Sequence, residues 1–295
     1  MSATTEKVLP RLAPVVFVFL WATGYIAAKF GTEFAEPFTF LAVRFSITFL
    51  ILCAAVLVLL KPRFDRMQIF HSAVSGVFVH GLYLGGIFYA VYRGMPAGIS
   101  ALVVALQPFL TAIFAWFVLA DRLPIAKGLY FFIALVGVTM VMFPNFNFIE
   151  FLPGITPETF GAAFLGTMAI SFGAVYQKRN VKDLNVWVST TSQFAGGAGF
   201  VLLVALLFET GQMIWNTQVV LTLAWLIFVL SIGAVALLMY LIRRDSSSAT
   251  ASLFYLVPVV AAGMAWVLFG ETLNTTQMIG SAIVVAAVWL SSKVK

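Results

Sequence analysis

Hydrophobic positions run through this chain in long uninterrupted blocks, separated by short polar segments. A helix needs about 20 mostly apolar residues to cross the hydrocarbon core of a membrane, and these blocks are of that length. They predict ten transmembrane helices, over residues 12–30, 38–60, 69–92, 98–119, 125–143, 159–178, 186–208, 219–242, 249–269 and 276–291. The expected fold is therefore an all-α integral membrane protein.

The chain contains an internal repeat. The stretch ALVVALQPFLTAIFAWFVLADRLPIAKG, which begins at Ala101, returns about 150 positions later as ASLFYLVPVVAAGMAWVLFGETLNTTQM. The alignment superimposes Pro108 on Pro258, Trp116 on Trp266 and Asp121 on Glu271. Because five crossings per half is an odd number, the second copy enters the membrane in the opposite sense. The sequence thus predicts two inverted five-helix repeats, residues 1–145 and 159–295, joined by a loop over 146–158.

Charge decides the predicted orientation. Hydrophobic residues make up 62% of the chain and charged residues only 9%, which leaves no charged surface for a soluble domain. Most of the 17 Lys and Arg residues lie in alternate loops, among them Lys61, Arg122, Lys178 and Arg243. Basic loops stay in the cytoplasm, so both termini are expected there, in a multi-pass protein of the inner membrane. Since topology explains the basic residues, no nucleic-acid partner is expected.

Three stretches resemble a known family across essentially the whole chain. They are WATGYIAAKFG in the first helix, EPFTFLAVRF with Pro37 and Arg44 in the second, and the paired Pro–Trp–Asp/Glu blocks. Together they resemble the EamA type of the drug/metabolite transporter superfamily. The resemblance implies ten helices in two inverted repeats and the export of small metabolites such as amino acids. Among its branches the amino-acid exporters are nearest, including those for aromatic amino acids.

Several kinds of chemistry have no candidate residues in this sequence. The glycines of GGAGF, Gly196 to Phe200, lack the Lys-Ser/Thr of a phosphate-binding loop and are interpreted as helix-packing residues. His71 and His80 do not have metal-ligand spacing, and no convergent catalytic set is found. We therefore expect no catalytic residue, no metal and no cofactor.

No Asp or Glu falls in the middle of a predicted helix. Small multidrug transporters of the same superfamily use a buried carboxylate in the first helix, where this chain has Trp21, Thr23 and Tyr25. This difference argues against proton-coupled export of lipophilic cations. A neutral, zwitterionic or apolar substrate is favoured instead.

A substrate cavity is predicted near the membrane midplane, between the halves. Its candidate residues lie mid-helix and carry polar or aromatic side chains: Trp21, Tyr25, His80, Tyr83, Gln107, Ser171, Gln193 and Tyr255. Burying such polar groups against lipid without a partner would cost about 2 to 7 kcal/mol each, so a wet cavity is the less costly place. The alternative for His80, Gln107 and Gln193 is a structural hydrogen bond between helices.

Three further residues are predicted to have gating or structural roles. Arg44 lies inside the second helix, where it either extends its head group to the interface or faces the bundle and pairs with a carbonyl or a substrate carboxylate. Pro108 and Pro258 interrupt the backbone hydrogen bonds of their helices, which releases the carbonyls of Val104 and Phe254. They produce either a plain kink or a border of the cavity.

The predicted function is a secondary transporter that exports amino acids, the aromatic ones included, or similar small metabolites by alternating access. Its partners are a small-molecule substrate and the lipid bilayer. Alternatives are a broad-specificity drug exporter and a non-transport membrane subunit or enzyme; an enzyme is not expected. The substrate, the coupling ion and the oligomeric state are left open by the sequence.

Overall fold

A computed structural model of the chain describes residues 3–60, 65–121, 124–142, 153–182, 184–244, 253–254 and 256–294. Within these ranges the regular secondary structure is helical, with one isolated β-bridge between Ala35 and Met213. The helices of the first half are α1 (Ala3–Thr32), α2 (Pro37–Leu59), α3 (Arg66–Tyr92), α4 (Ala97–Leu119) and α5 (Ile125–Met142). Those of the second half are α6 (Pro157–Asn180), α7 (Val186–Phe208), α8 (Thr217–Ala224, Trp225–Ala234 and Val235–Arg244 in succession), α9 (Val257–Phe269) and α10 (Thr275–Ser292).

Helix length separates these elements into two groups. In the described part of the chain, seven helices are long and apolar enough to cross a membrane, namely α1 to α4 and α6 to α8. The other three, α5, α9 and α10, are shorter apolar helices. All-helical membrane architecture is therefore confirmed, whereas the full count of ten crossings stays a prediction.

The two halves repeat their helix lengths. Helices α2 and α7 have 23 residues each, and α5 and α10 have 18 each. The second part of α4, Gln107–Leu119, and α9 both have 13. This agreement is what the internal repeat in the sequence leads one to expect.

Contacts between helix termini define two ends of the bundle. Lys29 near the end of α1 contacts Glu271, whereas Lys178 near the end of α6 contacts Asp121. Glu271 also accepts from the backbone at the start of α4, whereas Asp121 follows the end of α4, so the two pairs lie at opposite ends of the bundle. We call these the Glu271 end and the Asp121 end. The first helix of each half therefore points to a different end, which is the arrangement of an inverted repeat.

The prolines start helices rather than bend continuous ones. The sequence placed Pro108 within one unbroken helix, but α4 is interrupted after Val104 and resumes at Gln107. Pro108 then lies in the first turn of the second part, as Pro258 lies in the first turn of α9. Proline lacks the N–H that an interior position needs, but the first turn of a helix makes no use of that N–H. The backbone is therefore interrupted near Pro108 and not simply bent, while the gating or structural role of the two prolines stays a prediction.

Two π-helical stretches, which the sequence did not predict, occur in equivalent helices of the two halves. One is Val77–Leu82 in α3 and the other is Trp225–Ala234 in α8. Such stretches are rare and occur frequently at functional sites. Here they carry His80 and Ser231.

Close contacts at glycines hold α3 against α7. A methyl group at Gly76 would overlap the backbone of Gln193, and one at Gly196 would overlap the backbone of Ala73. Glycines at such crossings allow two backbones to approach within van der Waals contact, a common basis of helix packing in membranes. The interpretation of GGAGF as a packing motif is thus supported at Gly196.

Candidate functional site

A cavity of about 130 Å³ lies in the middle of the bundle, between helices of both halves. Its walls are mainly aromatic and aliphatic, and its polar groups come from Arg44, His80, Ser231 and two tyrosines. The lining residues are Trp21, Gly24, Tyr25, Arg44, Val79, His80, Tyr83, Leu84, Ile87, Phe88, Ile170, Phe194, Leu230, Ser231 and Val235. We call this the inner cavity. An apolar pocket with a few fixed polar groups is the usual form of a small-molecule site.

Arg44 enters the inner cavity from α2 and does not extend to the membrane interface. Only 5% of the residue is exposed. Its Nη2 donates to the Ser231 hydroxyl at 3.2 Å, while its Nε has no hydrogen-bond partner among the described residues. The Ser231 hydroxyl in turn donates to the Leu226 carbonyl across the π-helical turn. Arg44 is therefore a buried cation with part of its donor capacity unused.

His80 faces the same cavity from the π-helical stretch of α3. Its ring stacks on Phe194 with centroids 4.3 Å apart and planes inclined by 12°. Its Nε2 is buried and, like the Arg44 Nε, has no partner in the described part of the chain. The Gln193 side chain lies beside the ring. Two residues of the cavity wall, Arg44 and His80, thus each carry a buried nitrogen atom without a hydrogen-bond partner among the described residues.

A second cavity, of about 240 Å³, adjoins the inner one. The two share lining residues, including Trp21, Tyr25 and Tyr83, and the tyrosine hydroxyls lie 3.2 Å apart as a hydrogen-bonded pair. From there the second cavity passes the break in α4 at Gln107 and extends to Gln177, the neighbour of Lys178. It therefore leads from the middle of the bundle toward the Asp121 end.

The structure brings most of the predicted site residues together. Trp21, Tyr25, His80 and Tyr83 line the inner cavity with Arg44, and Gln107, Pro108 and Pro258 line the second one. Two others line neither cavity. Ser171 is fully buried and donates to the carbonyls of Gln107 and Thr167, and Gln193 is buried behind His80. Tyr255 lies outside the described residues.

Several lining residues were missed by the sequence analysis, notably Ile170, Phe194 and Ser231. For two of them the internal repeat could have indicated a place in the cavity wall, because each is equivalent to an aromatic residue of the first half. Ile170 lies about 149 positions after Trp21, and Phe194 lies about 149 positions after Phe45, whose ring it contacts at 5.7 Å. Ser231 had no such signal, because a π-helical turn determines its direction.

A larger groove, of about 750 Å³, lies between α4, α9 and α10. Apart from the Ser281 hydroxyl and the Trp289 indole, its lining side chains are entirely apolar. It offers few fixed groups to orient a substrate, so the two central cavities form the better candidate site. Among the described residues, no three His, Cys, Asp or Glu side chains come together as a metal site requires.

Ion pairs occupy equivalent positions at the two ends of the bundle, but differ in burial. At the Glu271 end, Lys29 donates to Glu271 at 2.7 Å, and the Glu271 side chain is only 14% exposed. The same carboxylate accepts from the backbone N–H groups of Ala97 and Gly98 at 3.3 and 3.4 Å. At the Asp121 end, Lys178 and Asp121 are 3.6 Å apart and 69% and 52% exposed. The Glu271 carboxylate of the first pair is thus packed within the structure, whereas the Lys178–Asp121 pair lies on the surface.

Asp121 and Glu271 follow the same type of helix cap. Each follows a left-handed residue that ends a helix, Ala120 with φ 55° and Gly270 with φ 65°. The next N–H then bonds back into the last turn, from Asp121 to Ala115 and from Glu271 to Ala265. Such a cap turns the chain sharply and presents the following side chain at the helix end.

Reciprocal carboxylate bonds close the Glu271 end further. Glu36 accepts from the backbone N–H groups of Thr210 and Gln212, both at 2.9 Å. Glu209 accepts from those of Phe38 and Thr39 at 2.9 and 2.6 Å. Burial alone would raise the pKa of Glu36, but the bonds from the Gln212 and Thr210 backbone outweigh it and lower the pKa. The start of α2 and the end of α7 are thus tied together.

Comparisons with known proteins agree with this architecture. A protein of Salmonella typhimurium (strain LT2) named "probable amino-acid metabolite efflux pump" is 25% identical over 94% of this chain and 92% of its own length. The "uncharacterized inner membrane transporter YedA" of Escherichia coli (strain K12) is 26% identical over 97% and 91%. A solved crystal structure, 21% identical, covers 94% of both chains with a TM-score of 0.63, which shows a shared fold. Residues 12–143 and 159–293 match the EamA-like transporter family, and the chain belongs to that family.

Proposed function

We propose that this protein is a secondary transporter of the inner membrane that exports small metabolites, amino acids and their aromatic members included, by alternating access. The observation that carries the proposal is the inner cavity, which lies between the two halves and combines aromatic walls with buried polar groups. Substrate sites of inverted-repeat transporters lie at such an interface and are bordered by broken helices. The name of the Salmonella relative, an efflux pump for amino-acid metabolites, supports the same direction.

The proposed membrane architecture has ten crossings, in repeats 1–145 and 159–295 joined by 146–158. Helices α5 and α10, with 18 residues each, are about 27 Å long at 1.5 Å per residue, close to the thickness of the hydrocarbon core. A crossing at α9 (Val257–Phe269) is part of the same proposal. The basic residues support a cytoplasmic location for the Asp121 end and for both termini.

The proposed cycle exchanges the conformations of the two repeats. With the Glu271 end closed by the Lys29–Glu271 pair, the second cavity leads toward the cytoplasmic Asp121 end, where substrate for export is taken up. In the opposite state Lys178 and Asp121 would form the buried pair, and Lys29 and Glu271 the exposed one. Broad export of lipophilic cations is not favoured, because no described residue lining either cavity is an Asp or Glu.

Topology gives the first test. Activity reporters that require either the cytoplasm or the periplasm, fused at Lys295 and within residues 144–158, are expected to report opposite sides of the membrane. The control is a fusion within residues 178–182, which should agree with the one at Lys295. Agreement between Lys295 and the 144–158 loop would contradict both the ten crossings and the inverted repeat.

Transport itself is tested by counterflow in liposomes with a panel of labelled amino acids. The wild-type protein is expected to exchange several of them. Trp21→Ala removes part of the cavity wall, so it should change the rate ratio between a large and a small amino acid by roughly tenfold. Trp116→Ala is the matched control, because Trp116 is 47% exposed on the outer surface of the bundle.

Equal ratios in wild type, Trp21→Ala and Trp116→Ala would remove Trp21 from the substrate site. An absence of counterflow for every small metabolite tested, from protein that is folded and inserted, would contradict the transporter function.

A further inference from the structure

We propose that the inner cavity recognises a monocarboxylate with an apolar or aromatic body, that Arg44 is the residue that anchors the carboxylate, and that an ammonium group is not part of what is recognised. This inference rests on the proposed transport function and specifies its substrate class. It starts from a cation that the fold leaves without a counter-charge.

Arg44 lies deep in the bundle and forms no ion pair with any described residue. A buried, unpaired charge inside a membrane protein is costly and is retained mainly at functional positions. The guanidinium carries five N–H donors in a planar fork that matches a carboxylate. Its Nη2 donates to Ser231, and its buried Nε has no hydrogen-bond partner among the described residues. The missing partner is thus an anion with two adjacent acceptor oxygens.

The surroundings of Arg44 are consistent with this partner. His80 lines the same cavity, and its Nε2, which has no hydrogen-bond partner among the described residues, can donate to a carboxylate in one tautomer or when protonated. Phe194 holds the imidazole ring in place by stacking. The other walls are apolar or aromatic, from Trp21, Ile87 and Phe88 among others. A substrate with a carboxylate at one end and a ring or alkyl group at the other would contact both the polar groups and the apolar walls of the cavity.

An ammonium group would find no carboxylate partner among the described residues that line the two central cavities. No Asp or Glu lines either central cavity among the described residues. The nearest candidates by helix, Asp121 and Glu271, lie at opposite ends of the bundle and are paired with Lys178 and Lys29. A zwitterion would therefore bury its positive charge beside Arg44 with no compensating carboxylate, which weakens its binding.

The repeat also limits the number of carboxylates that a matching substrate carries. The position equivalent to Arg44 in the second half, about 149 residues later, is Gln193. Among the described residues that line the two cavities there is consequently one guanidinium and not a symmetric pair. A single carboxylate is matched by that arrangement, whereas a dicarboxylate would leave one charge unpaired.

Three probes with the same phenyl ring separate these possibilities: phenylpropionate carries only the carboxylate, phenylalanine carries both groups, and phenethylamine carries only the ammonium. Binding is measured by calorimetry with the purified protein in detergent, and competition is measured in counterflow. Phenylpropionate is expected to bind at least as tightly as phenylalanine, and phenethylamine should not bind. Arg44→Gln should weaken phenylpropionate binding by about tenfold or more, and Arg44→Lys by less.

The matched control is Arg66→Gln, which removes the same charge from an exposed position at the start of α3 and should leave all three affinities unchanged. Thermal unfolding of each variant verifies that it is folded. Binding of phenethylamine with rejection of phenylpropionate, or unaltered phenylpropionate binding in folded Arg44→Gln, would overturn the inference. If either of these results is obtained while amino acids still exchange in counterflow, the proposed transport function is retained and only the carboxylate inference fails. Arg44-dependent binding without counterflow of any probe would instead contradict transport and retain the carboxylate site.

Discussion

Replacing Glu271 with Gln is expected to open the Glu271 end of the bundle and to accelerate the labelling of a cysteine in the inner cavity about tenfold. The reporter is Ile87→Cys, on the side of the cavity toward that end, in a background where Cys53 is replaced by Ser. A membrane-impermeant maleimide added from the side that the Glu271 end faces, the periplasmic side in the proposed topology, measures how often the cavity is open to it.

The size of this effect follows from the contacts of the carboxylate. Glu271 joins three elements, because it accepts from Lys29 on α1 and from the backbone at the start of α4, while it follows α9 itself. It is mostly buried, so its charge-assisted bonds are stronger than those of an exposed pair. Gln keeps one acceptor oxygen but loses the charge. A loss of about 1.4 kcal/mol from the closed state then corresponds to a tenfold shift in population.

Two controls separate this closure from general loosening. Asp121→Asn removes the equivalent charge at the other end, where both partners are largely exposed, and should change periplasmic labelling little. The exchange Lys29→Glu with Glu271→Lys restores an ion pair but not the acceptor for Ala97 and Gly98. It should therefore restore slow labelling only in part. Labelling that is unchanged in Glu271→Gln would exclude this carboxylate as a closing element.

Gly196→Ala is expected to destabilise the protein by about 1 to 3 kcal/mol and to reduce transport strongly. The new methyl group would overlap the backbone of Ala73, which cannot give way as a flexible side chain could. Helices α3 and α7 must then separate. Because α3 carries His80 and α7 carries Phe194, their separation disturbs the stacked pair at the cavity wall. Thermal unfolding in detergent and counterflow in liposomes measure the two effects.

Gly199→Ala provides the matched control within the same helix. No atom lies within 4 Å of a methyl group at this position, apart from its own helix and neighbours. Alanine is also the better helix former, by up to about 1 kcal/mol. The Gly199 variant should thus be as stable as the wild type or slightly more so. Equal stability of the two variants would mean that α3 and α7 do not approach closely at Gly196.

Much of the fold could be predicted from the order of residues alone. The blocks of apolar residues define helices because a backbone in lipid must satisfy its hydrogen bonds internally, and a helix does so within one segment. The repeat and the odd number of blocks per half predict inverted halves, and helices α1 and α6 run to opposite ends as expected. The resemblance to EamA-type transporters is confirmed by the family match over both halves.

The candidate site was predicted less completely. The sequence indicates how far along its helix, and therefore how deep in the membrane, a residue lies. This criterion predicted Trp21, Tyr25, His80 and Tyr83 as site residues, and they line the inner cavity. The direction in which a side chain points around the helix axis is harder to predict from the sequence. Ser171 has the right depth, yet its hydroxyl bonds to backbone carbonyls on its own helix and on α4.

Sequence by itself determined the class of this protein, its helices, its repeat and the depth of its polar residues, since these depend on local hydrophobicity and chain order. The tertiary structure alone decided which of those residues meet. It placed Arg44 against Ser231, which lies in the π-helical stretch of α8, and left the Arg44 Nε without a hydrogen-bond partner among the described residues. It likewise buried Glu271 while it left Asp121 exposed, although both follow the same helix cap. Those differences depend on contacts between residues far apart in the chain, and local patterns do not record them.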